Sequence, residues 1–210
     1  VDAVDLTSAA MALERWAEAG AFPGAVYAVG HRNQLVGLGS VGDMSYDDDA
    51  LPMPVDALFD LASLTKVVAT TTLTMHHLDD GHLALTDRIG EHLALWRGDD
   101  RSGVTIADLL AHTGGLAAHQ PLFRDRVGRT EFEPRICRLP LEYRPRTKSV
   151  YSDLGFILLG FLLEDLGKEG LDAQFERVAE ACGLAGLRYV PTPAPGSIAP
   201  AGDNRWRGRR

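Results

Sequence analysis

The sequence is short of cysteine, of positive charge and of long apolar runs. Its 210 residues hold two cysteines, too few for a disulfide framework, so we expect two free, buried thiols. The net charge of −8 argues against a nucleic-acid partner. The longest apolar run, residues 156–163, is far shorter than the ~20 residues that a membrane-spanning helix needs. We therefore expect a soluble protein that has no transmembrane segment.

We also expect no signal peptide, because the first residues form neither a basic segment nor an apolar core. The chain begins with Val1 rather than methionine, so we expect a processed, trimmed or partial protein. A cytoplasmic location and export after signal removal both stay open, as does the oligomeric state. The remaining composition, 45% apolar and 24% charged residues, is typical of globular proteins and allows one large domain or two small ones.

Helical periodicity dominates the chain, and strand-like alternation is confined to its first part. The pattern predicts a hairpin at about residues 25–38, a helical region at about residues 63–182 and an irregular tail over residues 190–210. A two-stranded sheet is marginal by itself, so we expect further strands to complete it. In the helix that follows Ser63, the apolar spacing predicts an inward face of six residues: Leu64, Val67, Val68, Thr71, Met75 and Leu78.

The main chemical pattern is Ser63-Leu64-Thr65-Lys66 at the start of that helix. Residues three apart lie on one face of a helix with Cβ atoms about 5–6 Å apart, so the Lys66 amine can reach the Ser63 hydroxyl. The unpaired backbone N–H of Ser63 can donate to the oxyanion that forms when this hydroxyl attacks a carbonyl. The pattern therefore indicates a nucleophile that carries its own base.

Lysine is a poor base at its ordinary pKa of about 10.4, because only about one molecule in two thousand is neutral at pH 7. Burial or a nearby cation must lower the pKa of Lys66 by roughly three units, on the order of 4 kcal/mol. A second proton carrier would help, and Tyr151 is the candidate. The plain alternative is that Ser63 only caps the helix and that Lys66 is a solvated residue of the first turn.

Two other patterns point away from a cofactor or a metal. His76, His77 and His82 have a poor ligand spacing for a helix and no cysteine nearby, so we predict no metal site. The glycines of residues 37–42 have the spacing G-x-G-x-x-G, but no helix obviously follows them. We interpret this segment as a strand end and a turn, and we predict no cofactor.

Three motifs in order resemble the β-lactamase-related serine hydrolases, a family of class C β-lactamases, penicillin-binding proteins, D-aminopeptidases and esterases. These motifs are Ser63-Leu64-Thr65-Lys66, the segment 109–116 that contains His112, and Tyr151-Ser152-Asp153. The resemblance implies that Ser63 forms an acyl-enzyme, that Lys66 is the general base and that Tyr151 shuttles protons. It also implies that His112 belongs to a turn that shapes the fold, without a catalytic role.

The resemblance further implies an α/β fold of the α+β type, with helices packed on an antiparallel sheet. Three features depart from the family pattern. Asp153, the candidate substrate-binding residue, replaces an asparagine and can only accept hydrogen bonds when ionised, which favours a peptidase or esterase over a true β-lactamase. Arg146 stands where the family often has glycine, a poor substitute if the position needs a positive φ. The late K-T-G or H-x-G motif is absent after Tyr151, so we expect residues 1–210 to form one truncated domain that lacks the C-terminal strands.

The leading hypothesis is a serine hydrolase that acts through an acyl-enzyme on an amide or ester, in a small-molecule or peptide-like substrate. The missing third motif puts the activity of the chain itself in question. A second hypothesis is a non-catalytic member or fragment that binds a peptide-like ligand or partner. A third is a helical scaffold in which all three motifs are accidental.

Overall fold

A computed structural model describes residues 5–184, 186–189 and 198–199. Within them the chain divides into two compact units, one of residues 5–61 with 198–199 and one of residues 62–184 with 186–189. That residues 1–210 form a single domain stays a prediction. The predicted irregular tail, residues 190–210, lies almost wholly outside the described residues.

The first unit contains a helix, α1 (Thr7–Glu18), and two antiparallel strands, β1 (Gly24–His31) and β2 (Gln34–Gly42). The two residues between the strands, Arg32 and Asn33, have φ values of 49° and 61°. Two positive φ values in a two-residue loop match the twist of a hairpin. The predicted hairpin is therefore confirmed, and α1 packs along β2.

The glycine-rich segment 37–42 lies inside β2 rather than at its end, which makes the strand longer than its apolar pattern predicts. A side chain at Gly37 would collide with Leu6, and one at Gly39 would collide with the ring of Tyr27. These glycines therefore allow neighbouring side chains to pack closely against the strand. They lie within a strand and do not form a nucleotide-binding turn.

The second unit is helical and contains the predicted motifs. A π-helical turn (Lys66–Thr71) continues into α2 (Thr72–Asp79). The other helices are α3 (Ile89–His92), α4 (Ile106–Leu110), α5 (Arg129–Arg138), α6 (Asp153–Gly167) and α7 (Leu171–Ala181), with a 3₁₀ turn at Leu122–Arg124.

Helix α6 is the centre of this unit. Its sequence is apolar on nearly all sides, and Leu158, Leu159, Leu162 and Leu163 are fully buried. Helices α4, α5 and α7 and the π-helical turn all pack against it. Because a helix that is apolar all round is stable only when other elements surround it, α6 is held firmly at the centre. Its first residue, Asp153, belongs to the third motif.

The predicted inward face of the helix after Ser63 is wrong in part. Leu64, Val67 and Met75 are each more than half exposed, whereas Ala69, Thr70, Leu73, Thr74 and His77 form the buried face. The π-helical turn holds more residues per turn than an α-helix and so rotates the residues that follow it. Spacing rules for a regular α-helix therefore select the wrong positions here.

Helix α5 begins at Arg129, whose side chain reaches α6. The Arg129 guanidinium binds both carboxylate oxygens of Asp165 on α6, at 2.7 and 2.6 Å, and so joins the start of α5 to α6. A capping box of Thr105 and Asp108 begins α4. Of the two free thiols, Cys137 is buried as predicted, but Cys182 is exposed. No helix among the described residues is long and apolar enough to cross a membrane.

Candidate active site

Ser63 lies on a sharp turn at the start of the second unit. Ala62 before it has a φ of 45°, which a residue with a side chain adopts only under strain. The turn closes with hydrogen bonds from the Thr65 N–H to the Ala62 carbonyl and from the Lys66 N–H to the Ser63 carbonyl, both 3.1 Å. The Ser63 hydroxyl is therefore exposed at the head of a helix, where a substrate can reach it.

The Lys66 ammonium occupies the centre of the site. Its Nζ lies 3.2 Å from Ser63 Oγ, as the three-residue spacing predicts. The same nitrogen lies 2.7 Å from Asp153 Oδ1 and 4.8 Å from the centre of the Tyr151 ring. The structure thus brings Ser63, Lys66, Tyr151 and Asp153 together, although 87 positions separate Lys66 from Asp153.

The ionic state of Lys66 is the opposite of what a lysine base requires. Burial lowers the pKa of Lys66, but hydrogen bonds to Asp153 and Tyr151 outweigh burial and raise this pKa above its ordinary value. A lysine that acts as the base at pH 7 needs a pKa lowered by roughly three units. In this structure Lys66 is a paired cation, and its role as general base stays a prediction.

Tyr151 shows the complementary shift. Its hydrogen bond with Ser63, and then the one with Lys66, lower the pKa of the phenol. The His112 ring lies against the tyrosine ring with a centroid distance of 4.6 Å. Tyr151 is therefore the group of the site whose pKa shift favours loss of its proton.

Asp153 holds two partners at once. Its Oδ1 accepts from Lys66, and its Oδ2 lies 3.0 Å from Nδ1 of His119. Burial raises the pKa of this carboxyl, but the hydrogen bonds from Lys66 and His119 outweigh burial and lower it. Asp153 is thus an ionised partner of the lysine, and direct substrate binding by it stays a prediction.

His112 is held by structural hydrogen bonds, in agreement with the sequence interpretation. Its Nδ1 accepts from the Ser152 N–H (3.0 Å), and its carbonyl accepts from the Tyr143 hydroxyl and the Val150 N–H, both 3.0 Å. Burial, followed by the charge of Lys66, lowers the pKa of this imidazole, so the neutral ring is favoured. A neutral, fixed ring supports the position of Tyr151.

Arg146 does occupy a position that needs a positive φ, which is 66°. Its guanidinium binds the buried Asp108 through two hydrogen bonds of 2.9 and 2.7 Å and also donates to the Gly103 carbonyl (2.8 Å). These bonds explain how an arginine is accommodated where the family often has glycine. The bidentate ion pair offsets the backbone strain.

Sequence reasoning missed His119 and the cleft beside it. A cleft of about 560 Å³ opens next to Ser63 and Lys66. Its apolar lining comes from five separate segments and consists largely of Phe123, Phe132, Ile157, Phe161, Leu171 and Tyr189. No single motif contains these residues, so only the folded arrangement reveals the cleft. Among the described residues no group of three or more His, Cys, Asp or Glu side chains can hold a metal ion.

Comparison with known proteins identifies the family to which this site and fold are similar. The model of the beta-lactamase family matches residues 6–201. An Escherichia coli (strain K12) protein with the provisional name D-alanyl-D-alanine carboxypeptidase is 33% identical over 151 residues, which covers 62% of this chain and 34% of the relative. An N-acetylmuramyl-L-alanine amidase of Bacillus subtilis (strain 168) is 29% identical over 186 residues, or 79% of this chain and 42% of the relative. The chain therefore spans less than half the length of these curated relatives.

Solved structures agree on the fold. A class C beta-lactamase from Rhodobacter sphaeroides is 25% identical, with a TM-score of 0.73 over 91% of this chain and 54% of that one. EstCE1, described as a hydrolase with promiscuous acyltransferase activity, has a TM-score of 0.77 at 22% identity and covers 92% of this chain and 55% of its own. The predicted β-lactamase-like α/β fold is confirmed.

Proposed function

We propose a function from the premise that this chain belongs to the beta-lactamase family. The family and its relatives support serine-hydrolase chemistry in general, and for this chain we infer acyl transfer from an ester or amide to Ser63, followed by hydrolysis. One observation carries the proposal. Lys66 Nζ lies 3.2 Å from Ser63 Oγ and 4.8 Å from the centre of the Tyr151 ring, and interactions with Ser63 and Lys66 lower the pKa of Tyr151. A nucleophile, a cation and a proton carrier with a lowered pKa therefore meet at one point.

Tyr151 is the proposed proton acceptor. The raised pKa of Lys66 keeps the lysine charged, and that charge stabilises a phenolate on the neighbouring tyrosine. In the first step Ser63 Oγ bonds to the substrate carbonyl carbon, and its proton moves to the Tyr151 oxygen. The carbonyl oxygen becomes an oxyanion, to which the backbone N–H of Ser63 donates.

The leaving group departs in the second step. The bond from the tetrahedral carbon to the alcohol oxygen or amine nitrogen breaks, and Tyr151 gives this atom the proton that it took from Ser63. Water then attacks the acyl-enzyme and gives its proton to Tyr151. Release of the carboxylic acid returns a proton to Ser63, so the cycle consumes one water and no cofactor.

The cleft indicates the substrate class. A volume of about 560 Å³ with a largely aromatic and aliphatic lining fits a small-molecule or peptide-like substrate with an apolar acyl group or side chain. The names of the carboxypeptidase and amidase relatives favour a peptide-like amide. An activated ester with an aromatic acyl group is a suitable first probe.

The Lys66–Asp153 ion pair favours a second candidate function. An ion pair that holds the lysine charged suits a non-catalytic member that binds a peptide-like ligand in the cleft. In that case Ser63 would contact a ligand without forming a covalent bond to it.

Ester hydrolysis separates the two functions. The test mixes the full 210-residue chain with p-nitrophenyl phenylacetate and follows nitrophenolate release, with Ser63→Ala as the active-site variant. Ser102→Ala is the matched control, because Ser102 bonds only within its own exposed turn. We expect release by the wild type and by Ser102→Ala and none above background by Ser63→Ala. Equal release by all three, or none by any folded protein, would overturn catalysis by Ser63.

A further inference from the structure

His119 is a residue of the site to which no motif assigns a role. It lies in the loop between α4 and the 3₁₀ turn, and its side chain is half exposed and lines the cleft. Its Nδ1 lies 3.0 Å from Asp153 Oδ2. Among the described hydrogen bonds it has none to Ser63 or Lys66, and its contact with the Lys66–Asp153 ion pair is made through Asp153.

The loop that carries His119 is docked on the start of α6 by two hydrogen bonds that its backbone carbonyls accept. The Ser152 hydroxyl donates to the Ala117 carbonyl at 2.6 Å, and the Asp153 N–H donates to the Ala118 carbonyl at 2.9 Å. Ser152 and Ala117 are both buried. The imidazole is therefore held opposite the carboxylate by a fixed piece of backbone, and its position does not depend on a mobile surface contact.

The Asp153 carboxylate divides its oxygens between two neighbours. Oδ1 faces Lys66 at 2.7 Å and Oδ2 faces His119 at 3.0 Å. The Asp153 side chain is 37% exposed, so without His119 its carboxylate has room to rotate toward water. A hydrogen bond from the imidazole to Oδ2 restricts this rotation and keeps Oδ1 on the lysine.

We propose that His119 is a positioning residue that fixes the Asp153 carboxylate on Lys66 and so keeps the lysine charged beside Ser63. The inference rests on the proposed function in one respect, since it takes Ser63 to be the nucleophile that lies beside the charged lysine. The ionisable groups around His119 and Asp153 are Lys66 before α2, Tyr151 beside α6 and His112 in the turn after α4. Of these three groups, Lys66 is the one that forms an ion pair with the Asp153 carboxylate. Its titration therefore depends on where the carboxylate lies.

The protonation of Lys66 can be measured without substrate. The chain has three lysines, at positions 66, 148 and 168, so protein labelled with ¹³C-lysine gives three side-chain signals, and Lys66→Arg identifies the relevant one. Titration of this signal is compared among the wild type, Asp153→Asn, His119→Ala and His119→Asn. The asparagine amide places a donor close to the position of Nδ1. His76→Ala is the matched control, since His76 faces Asp80 in another exposed pair of the same unit.

We expect Asp153→Asn to raise the neutral fraction of Lys66 about tenfold or more at a given pH. His119→Ala should act in the same direction by a smaller factor, and His119→Asn should restore most of the wild-type titration. Identical titrations of His119→Ala and the wild type, alongside a shifted Asp153→Asn, would overturn the role of His119. Nitrophenolate release by the wild type and by Ser63→Ala, measured on the same samples, shows separately whether the proposed function fails.

Discussion

Lys66 is ion-paired with Asp153 at 2.7 Å, and the proposed mechanism depends on this pair. A lysine next to a carboxylate stays charged, so it stabilises anions and holds protons more readily than it removes them. Tyr151, with its lowered pKa, is left as the group that can accept the proton of Ser63. The pair thus moves the proposed basic role from the lysine to the tyrosine.

Replacing Tyr151 with phenylalanine should abolish most activity without unfolding the protein. The phenylalanine ring keeps the contact with His112 and loses the hydroxyl that hydrogen-bonds to Ser63 and Lys66. We expect the rate of ester hydrolysis to fall about 10²–10⁴-fold, the usual contribution of general acid–base catalysis. The measurement is kcat/KM for the phenylacetate ester together with a thermal melt.

Tyr143→Phe is the contrasting variant. It removes the hydrogen bond to the His112 carbonyl and no group that faces Ser63. We expect a loss of unfolding free energy of about 1 kcal/mol with most of the activity kept. Equal activity losses in the two variants would contradict a chemical role for the Tyr151 hydroxyl.

The Lys66–Asp153 pair should make stability depend on pH at both ends of the scale. Asp153 has a lowered pKa in the folded state, so its stabilisation is present above its ordinary value of 3.8 and is lost as the pH falls through the lowered pKa. Lys66 has a raised pKa, so its stabilisation is present below 10.5 and is lost as the pH rises through the raised pKa. Urea unfolding of the wild type and Asp153→Asn should differ most between these limits. A difference that stays constant down to pH 2 would exclude the ion pair as its cause.

Arg146 allows the backbone strain and the ion pair to be separated. Arg146→Ala loses the bonds to Asp108 and keeps a side chain at a φ of 66°, whereas Arg146→Gly loses the same bonds and relieves the strain. We therefore expect the urea midpoint to fall further in Arg146→Ala than in Arg146→Gly. The reverse order would show that this backbone conformation carries no strain.

Phe123 should contribute to the choice of acyl group. It lines the cleft and is 60% exposed, so Phe123→Ala removes apolar surface from the cleft at little cost in stability. We expect the ratio of kcat/KM for p-nitrophenyl phenylacetate to that for the acetate to fall about tenfold, as partial burial of an aromatic ring implies. Val127→Ala is the control, because this exposed residue is outside the cleft lining. An unchanged ratio in Phe123→Ala would place the acyl group elsewhere.

Local rules predicted the parts of the site that lie close together in the sequence. The three-residue spacing of Ser63 and Lys66 predicted their contact, and the helical region predicted at about residues 63–182 contains α6. Tyr151 and Asp153 could be joined to Ser63 only through the resemblance to a family. No spacing rule relates positions that are more than eighty residues apart.

Features that depend on three-dimensional packing escaped prediction. The π-helical turn after Lys66 changes which side chains face inward, although the apolar spacing is that of an ordinary helix. His119 is a single histidine in a polar loop, and only the docking of that loop on α6 gives it a partner. The conformation of Arg146 likewise depends on Asp108, 38 positions earlier.

The central claim, that Ser63 is a nucleophile activated beside Lys66 and Tyr151, is tested most directly by a fluorophosphonate. Trypsin releases residues 33–66 as one peptide, and fragmentation by mass spectrometry distinguishes Ser63 from Ser40 and Ser45 within it. We predict a stoichiometric adduct on Ser63 that forms at least 10²-fold more slowly in Tyr151→Phe. Folded wild-type protein that carries no adduct on Ser63, or forms one equally fast in Tyr151→Phe, would contradict the account.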